Sequence, residues 1–250
     1  MAKKLLLFDL DGTLVKTTEA FYQTYVRRLA ARWQATPTAS FIASLLEATE
    51  EVRRRKEGSM VPVGDAILQA LARREGVPLE EVETFFLQFY REVYEDLAPF
   101  VEPIPGVAEA VARFHEEGIP MAVASDPVFP REQLALRLKW GGLDPSAFRL
   151  ITGADNSYAL KPHPRYYRDA CLQAGFFPEE TLYIGNDPAR DGLAAAAGIK
   201  TFIVVGEDHP IAGRGPLLPE EEEASLHLPM GSWKEAVAWI RHELKLTPRS

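Results

Sequence analysis

The chain has 250 residues, of which 46% are hydrophobic and 26% charged, and its formal net charge is -8. This composition is ordinary for a globular protein and excludes a disordered or fibrous chain. The acidic balance disfavours binding to nucleic acid or to an anionic membrane, and no apolar run approaches the roughly 20 residues that a membrane span needs.

The amino terminus and the cysteine content predict a cytoplasmic protein. Met1-Ala2-Lys3-Lys4 leads into a short apolar run rather than a signal-peptide core. Cys171 is the only cysteine, so an intrachain disulfide is excluded and we expect a small core residue in a helix. The one basic run, Arg53 to Lys56, follows three glutamates at helical spacing, which predicts a solvated helix face.

The first half of the chain reads as one strand followed by helices. The apolar run at 5–8 predicts a buried strand, and residues from about 18 to 99 show four helical patterns with no convincing strand. We expect a helical bundle whose aromatic side chains are core residues. The apolar faces consist of Phe21, Tyr25, Leu29 and Trp33, then Phe41, Leu45 and Leu46, then Ile67, Leu68 and Leu71, then Val82, Phe85, Phe86, Phe89, Tyr90 and Val93.

The second half alternates between strands and helices. Three prolines between 99 and 105 mark a boundary, after which a helix runs to about 118. Predicted strands at 121–124, 150–152, 181–184 and 201–205 alternate with helices at 131–140, 164–174 and 189–197. This alternation predicts an α/β fold with a doubly wound parallel sheet. Beyond it we expect an exposed acidic segment at 220–223, a short edge strand at 226–228 and a helix at 233–244 packed on the sheet.

These patterns predict two modules. The first strand would join the later sheet, so residues 1–16 and 101–250 form an α/β core domain and residues 17–100 form an inserted helical-bundle cap domain. An insertion at this point can cover whatever lies at the end of the first strand.

Two carboxylates follow the first strand directly. Asp9 and Asp11 lie where the strand ends, and Gly12 allows the backbone to turn sharply there. Carboxyl ends of parallel strands are where open α/β sheets bind ligands. One acid at such a place can attack an electrophile while the second handles protons. An ordinary turn that caps a strand has the same pattern, so this motif alone leaves both interpretations open.

Each later strand is followed by a complementary polar side chain. Ser125 and Asp126 follow the strand at 121–124, and Lys161 lies in the loop before the helix at 164–174. Taken singly, these are an ordinary turn residue and a surface lysine. The strand at 181–184 is followed by Asn186, Asp187 and Asp191, where either aspartate alone can cap a helix. Their ordered placement at the ends of successive strands predicts one shared site.

The four motifs and the helical cap after the first resemble the haloacid dehalogenase superfamily, and most closely its capped phosphatases, over about residues 5 to 206. The resemblance implies a Rossmann-like core with Asp9 as nucleophile and Asp11 as general acid and base. It implies that Ser125 and Asp126 bind the phosphate and that Lys161 balances the charge of nucleophile and phosphate. It further implies Mg²⁺ held by Asp9, Asp11 and Asp187, with Asp191 fixing Lys161 or the metal shell and Asn186 as an alternative ligand.

Physical chemistry supports these implied roles. Carboxylates crowded into one pocket repel each other, and a hard divalent cation together with Lys161 holds them ionised. Phosphoryl transfer needs an in-line nucleophile, positive charge around the equatorial oxygens and a proton for the leaving oxygen. We therefore predict a Mg²⁺-dependent phosphatase that hydrolyses a small phosphorylated metabolite through an aspartyl-phosphate, as a monomer or homodimer.

Some residues depart from the family pattern or leave alternatives open. The family usually has Asn where this chain has Asp126, so we expect that side chain to turn away from the phosphate and its N–H to be used. Asp11 disfavours a dehalogenase but is compatible with a sugar phosphomutase, and a degenerate binding protein is the non-enzymatic alternative. A phosphonate hydrolase would need a cap lysine, for which Lys56 is a weak candidate. Lys16, Thr17 and Thr18 are candidates for leaving-group contacts or for helix-start residues.

Overall fold

The computed structural model describes residues 4–55, 60–211 and 228–246. The strands are β1 Leu5–Phe8, β2 Val15–Thr17, β3 Val101–Pro103, β4 Met121–Val123, β5 Leu150–Ile151, β6 Thr181–Gly185, β7 Lys200–Val204 and β8 Met230–Gly231. The helices are α1 Glu19–Arg32, α2 Thr38–Arg53, α3 Val63–Glu75, α4 Leu79–Glu92, α5 Val107–Glu116, α6 Arg131–Trp140, α7 Pro164–Gln173 and α8 Trp233–Glu243. Short 3₁₀ helices span Tyr94–Phe100, Pro145–Ala147, Pro178–Glu180 and Asp191–Ala197.

Six strands form one parallel sheet in the order β5-β4-β1-β6-β7-β8. The first strand in sequence is central, with Leu6 opposite Met121 of β4 and Leu5 opposite Thr181 of β6. The chain leaves β1 toward one side through β4 and β5 and toward the other through β6, β7 and β8. This arrangement confirms the predicted α/β doubly wound sheet, and the direction of winding changes at β1.

Both faces of the sheet are covered, as a central parallel strand requires. All four residues of β1 are fully buried, and successive side chains point to opposite faces. Leu6 and Phe8 belong to a large apolar cluster that also contains Trp233 of α8, while Leu5 and Leu7 belong to a smaller cluster that contains Cys171. Cys171 is buried in α7, as predicted. The carboxy-terminal helix α8 packs on the sheet, also as predicted, with Trp233 against Phe8.

A helical insert, α1–α4, lies between β2 and β3. These two strands pair antiparallel with each other, outside the main sheet, and connect the insert to the core. The four helices match the four sequence patterns, and their buried residues join the large cluster under the sheet. One detail was wrong: Leu46 is 59% exposed rather than on the buried face with Phe41.

Three other expectations had different outcomes. The helix expected at 189–197 is a 3₁₀ helix that begins at Asp191. The described edge strand is β8, while residues 226–227 of the predicted edge strand, the acidic segment 220–223 and Lys56 lie outside the described residues. Within the described ranges, no helix combines the length and apolar character needed to cross a membrane.

Candidate active site

A cavity of about 100 Å³ lies at the carboxyl ends of β1, β4 and β6. The strands converge there because they are parallel neighbours, so the residues that follow them share one edge of the sheet. Every site residue inferred from the four motifs lines this cavity. The lining consists of Asp9, Asp11, Tyr22, Ser125, Asp126, Val128, Phe129, Lys161, Asn186, Asp187, Arg190, Asp191 and Ile211.

The backbone around Asp9 is fixed by both neighbouring strands. The Asp9 N–H donates to the Ile184 carbonyl at 2.8 Å, and the preceding Phe8 carbonyl accepts from the Ala124 N–H at 2.7 Å. The loop then turns at Gly12, whose φ of 83° lies in the left-handed region. A Cβ at Gly12 would lie 2.1 Å from the Asn186 side-chain nitrogen. Glycine therefore allows the first and fourth motifs to approach closely.

Lys161 joins the first and fourth motifs through its ammonium group. Its Nζ donates to Asp9 Oδ1 at 2.6 Å, to Asp191 Oδ1 at 2.8 Å and to the Tyr183 hydroxyl at 2.7 Å. The Tyr183 hydroxyl also donates to Asp191 Oδ1 at 2.7 Å. Lys161 is 3% exposed, and all three of its possible donor positions are used. The structure thus places one buried cation between two buried carboxylates.

Burial shifts the pKa values of this network. Desolvation raises the pKa of Asp9 to about 8, although Lys161 beside it acts in the opposite direction and Asp191 adds to the increase. Burial alone would lower the pKa of Lys161, but the Asp191 and Asp9 carboxylates raise it well above its usual range. Lys161 is therefore cationic, and Asp9 depends on nearby positive charge to be ionised.

The fourth motif is a tightly bonded loop. Asp191 Oδ2 accepts the backbone N–H groups of Asn186 at 3.0 Å and Asp187 at 3.1 Å. Both polar atoms of the Asn186 amide have protein partners: Nδ2 donates to the Pro210 carbonyl at 2.8 Å, and Oδ1 accepts from the Thr13 hydroxyl at 3.3 Å. Asp191 therefore organises the loop and holds Lys161, while the Asn186 amide is engaged in structural contacts.

The Asp11 carboxylate is held by a residue that the motifs did not predict. Arg137 Nη1 donates to Asp11 Oδ1 at 2.8 Å and to Oδ2 at 2.7 Å, and the Thr17 hydroxyl donates to Oδ1 at 2.5 Å. Arg137 lies on α6 and is fully buried. The sequence did contain a signal, because Arg137 falls three residues after Leu134 and one before Leu138, on the buried face of α6.

The surroundings of the second motif contradict one expectation, that Arg53 belongs to a solvated helix face. Arg53 of the helical insert is not part of a solvated face: its side chain is 7% exposed, and Nη2 donates to Asp126 Oδ2 at 2.9 Å. Asp126 lines the cavity, and the expectation that its carboxylate turns away from the phosphate stays a prediction. Its charge is balanced by Arg53 and by Arg190, whose Nη1 lies 3.8 Å from Oδ2, and Oδ1 accepts the Lys161 N–H at 3.2 Å.

The candidates for leaving-group contacts lie elsewhere. Among the described lining residues, none is Lys16, Thr17 or Thr18. Lys16 pairs with Asp208 at 3.5 Å and the Thr18 hydroxyl donates to the Phe100 carbonyl at 3.2 Å, so these side chains belong to the junction between core and insert. The uncharged side chains of the cavity lining include Tyr22, Val128, Phe129 and Ile211.

The oxygen donors of the cavity suit a hard cation. In the part of the chain that the structure describes, no three acidic, His or Cys side chains form a ready metal cage. Mg²⁺ usually needs only one or two carboxylates, with water and substrate phosphate as its other ligands. Asp9 and Asp187 both line the cavity, and burial, which raises the pKa of Asp9, leaves its charge poorly solvated, so that a bound cation would stabilise it. This donor set fits Mg²⁺.

The chain is similar in sequence and fold to known hydrolases. A model of the haloacid dehalogenase-like hydrolases matches residues 6–204. The chain is 31% identical to phosphoglycolate phosphatase 1 of Pseudomonas aeruginosa over 86% of this chain and 75% of that protein. It is 27% identical to the pyrophosphatase PpaX of Halalkalibacterium halodurans over 81% of this chain and 86% of that protein. A HAD family hydrolase of Deinococcus radiodurans, solved with bound phosphate and sodium, shares the fold with a TM-score of 0.57 and 23% identity over 99% of both chains.

Proposed function

The chain belongs to the haloacid dehalogenase-like hydrolases, and on that premise we propose that it hydrolyses a small phosphomonoester through an aspartyl-phosphate at Asp9. One observation carries the proposal: the buried Asp9 carboxylate lies 2.6 Å from the Lys161 ammonium in a cavity that Asp11 and Ser125 also line. This combination offers a nucleophile, a cation for the phosphate oxygens, and a second acid for proton transfer.

In the first step Asp9 attacks the phosphorus atom. Lys161 holds Asp9 Oδ1, while Oδ2 makes only a long contact of 3.5 Å with the Thr13 hydroxyl and is therefore the attacking oxygen. The new bond joins Oδ2 to phosphorus, the ester P–O bond breaks, and Asp11 gives a proton to the leaving oxygen. Lys161 and Ser125 neutralise and bind the equatorial oxygens.

In the second step water releases the phosphate. Asp11, now ionised, takes a proton from the water as it attacks phosphorus, and the bond to Asp9 breaks. Asp9 is 7% exposed, and Tyr22 and Arg53 of the helical insert lie over this part of the core. The limited space favours a single water molecule and prevents bulk solvent from competing.

Asp9 and Asp187 would hold Mg²⁺, which supplies Lewis-acid stabilisation of the phosphoryl oxygens when bound. Asp11, the third ligand that the sequence predicts, is less suited to the metal, because Arg137 donates to both of its carboxylate oxygens and Thr17 donates to Oδ1. Asn186 is less suitable than Asp187, because its amide is uncharged and bonded to protein groups at both ends, whereas Asp187 offers a carboxylate.

The substrate is expected to be a small phosphorylated metabolite. The cavity is small, about 100 Å³, and is covered by the helical insert, which favours a small phosphomonoester over a macromolecular substrate. Relatives named for phosphoglycolate and for pyrophosphate suggest both compounds as first members of a substrate panel.

The test is phosphate release from that panel, with and without Mg²⁺, by the wild-type chain and by Asp9→Asn. We expect Mg²⁺-dependent release that the substitution lowers by at least about a thousandfold, because the amide is a poor nucleophile. Mass spectrometry after an acid quench should find the phosphoryl group on the peptide that contains Asp9. Circular dichroism of the variant provides the control for folding.

Other outcomes would select an alternative. Full activity in Asp9→Asn would reject the assigned nucleophile. Absence of release from all esters, together with isomerisation of a sugar phosphate, would select a phosphomutase. Binding of phosphorylated compounds without any turnover would select a binding protein.

A further inference from the structure

Arg137 is a buried cation at the junction of the core and the helical insert. It is fully inaccessible to solvent, and its guanidinium carbon lies 4.6 Å from the ring centre of Phe129 and 5.2 Å from that of Phe21. Phe129 follows the second motif, whereas Phe21 belongs to α1, the first helix of the insert. Arg137 therefore contacts both modules and the Asp11 carboxylate between them.

The contacts of Arg137 are unusually concentrated on one atom. Nη1 alone donates to both oxygens of Asp11, at 2.8 and 2.7 Å. Among the described residues, the buried Nε and Nη2 atoms have no hydrogen-bond acceptor. Burying a guanidinium with unused donors is costly, and an apolar residue of similar size is often at least as stabilising. A requirement of fold stability alone therefore does not account for an arginine at this position.

The position of Asp11 gives the arginine a function. Asp11 lines the cavity, and its carboxylate is held by Arg137, which donates to both oxygens, and by Thr17, which donates to Oδ1. General acid catalysis requires a carboxyl group held within hydrogen-bond reach of the leaving oxygen, and a displacement of about 1 Å costs up to about a hundredfold in rate.

We propose that Arg137 is a positioning residue that orients Asp11 toward the leaving oxygen. This inference rests on the proposed function, in which Asp11 is the general acid. The guanidinium, packed against the rings of Phe129 and Phe21, sets the direction of Nη1, and Nη1 in turn orients the carboxylate of Asp11. Through Phe21 and Arg137, the packing of α1 on the core is thereby coupled to the orientation of the Asp11 carboxylate.

The leaving group of the substrate separates this role from a structural one. An alkyl phosphate needs a proton on its leaving oxygen, whereas p-nitrophenyl phosphate releases a stable anion without one. kcat/KM reports on steps up to the first transfer to Asp9, so the ratio of kcat/KM for the two esters measures acid catalysis. Misfolding or loss of active molecules lowers both values equally and leaves the ratio unchanged.

The decisive variant is Arg137→Met, which removes the donor and charge but keeps the length. We expect kcat/KM to fall by about thirtyfold for the alkyl ester and by less than about threefold for p-nitrophenyl phosphate. Arg137→Lys should recover part of the ratio, because one nitrogen makes both contacts. Arg149→Met is the matched control, since Arg149 also stacks on an aromatic ring, Phe176 at 5.1 Å, and should leave the ratio unchanged.

Asp11→Asn distinguishes the failure of this inference from that of the proposed function. If this variant loses both activities equally, the acid role of Asp11 is wrong. If it loses mainly the alkyl ester while Arg137→Met loses both equally, the positioning role is wrong and Arg137 is structural. If Arg137→Met does not fold, the same ratio of kcat/KM for the two esters is measured for Arg137→Gln. Thr17→Val, measured in the same way, tests the second donor to Asp11.

Discussion

Asp9 and Asp191 share one buried cation: Lys161 Nζ lies 2.6 Å from Asp9 Oδ1 and 2.8 Å from Asp191 Oδ1. Burial raises the pKa of Asp9 from 3.8 to about 8, so the folded chain retains a proton that the unfolded chain loses near pH 4. The stability linked to this proton is fully present below the unfolded pKa and is lost as the pH rises through about 8. Ionised Asp9 thus destabilises the fold in the absence of a divalent cation.

Asp9→Asn should therefore stabilise the metal-free protein at alkaline pH. We expect its free energy of unfolding at pH 8 to exceed that of the wild type by about 1 kcal/mol, or about 2–4 °C in the melting midpoint for a chain of this size. The difference should shrink as the pH falls toward 5, where wild-type Asp9 is protonated. Thermal melts in the presence of a chelator measure it, and a lower midpoint for the variant at pH 8 would contradict the argument.

Asp191→Asn is the matched control for this stability measurement. Asp191 accepts hydrogen bonds from Lys161, Tyr183 and two backbone N–H groups. Its replacement should lower the free energy of unfolding by about 3 kcal/mol, the opposite direction from Asp9→Asn, because a buried ion pair is broken.

Sequence reasoning identified the side chains that follow strands but not those that reach the site from helices. Asp9, Ser125 and Asp187 were brought to one cavity because each follows a parallel strand, and parallel neighbours end at the same edge. Arg53 and Arg137 lie on helices, where an arginine is normally solvated. Their burial depends on how α2 and α6 pack against the core, which local spacing does not specify. The roles of these residues remain predictions.

At the scale of elements, α2 of the helical insert is joined to the core by Arg53. Besides Asp126, this side chain donates to the backbone carbonyl of Lys161 and to Glu50. Desolvation would lower the pKa of Arg53, but the Asp126 carboxylate reverses that effect and raises it. One side chain therefore both holds the insert on the core and neutralises an acid that lines the cavity.

Removing that cation should weaken substrate binding. Arg53→Met leaves the Asp126 carboxylate without its closest cation beside the expected phosphate, so we expect KM to rise about tenfold, equivalent to about 1.4 kcal/mol. Adding Asp126→Asn should restore most of the loss, since the repelling charge is then absent. Arg55→Met, at a more exposed arginine that pairs with Glu51 at 3.7 Å, is the control. Equal KM values for the single and double variants would refute this interpretation.

The β2–β3 pair shows a limit of sequence interpretation at this scale. The expected domain boundaries, 16/17 and 100/101, lie in or beside these strands, yet neither strand was predicted. Each has three residues and pairs with a segment far away along the chain, so it has too little periodicity to be recognised. Longer elements such as α6 agreed at both ends with the sequence pattern.

For the whole molecule, the central observation is a continuous apolar core. Phe8 and Ile184 of the sheet belong to the same buried cluster as Phe21, Phe41 and Phe89 of the helical insert. The insert therefore has no separate core, whereas the sequence pattern predicts two modules. Sequence patterns predicted each module but not this shared packing, which depends on contacts between distant segments.

A shared core predicts one cooperative unfolding transition. Scanning calorimetry should show a single peak whose calorimetric and van't Hoff enthalpies agree. Phe89→Leu in the insert and Ile184→Val in the sheet should each lower the same midpoint, at a cost of about 1 kcal/mol. Two peaks, with only one of them moved by each substitution, would show that the insert unfolds independently.

The central position of β1 has a consequence for the growing polypeptide. Leu5–Phe8 leaves the ribosome well before its sheet partners Met121–Val123 and Thr181–Gly185. The loop that carries Asp9 and Asp11 is thus made before β4 and β6, the strands beside it, and the helices of the insert emerge in between. A nascent chain that stops before Thr181 contains both acids but cannot assemble the surroundings that organise them.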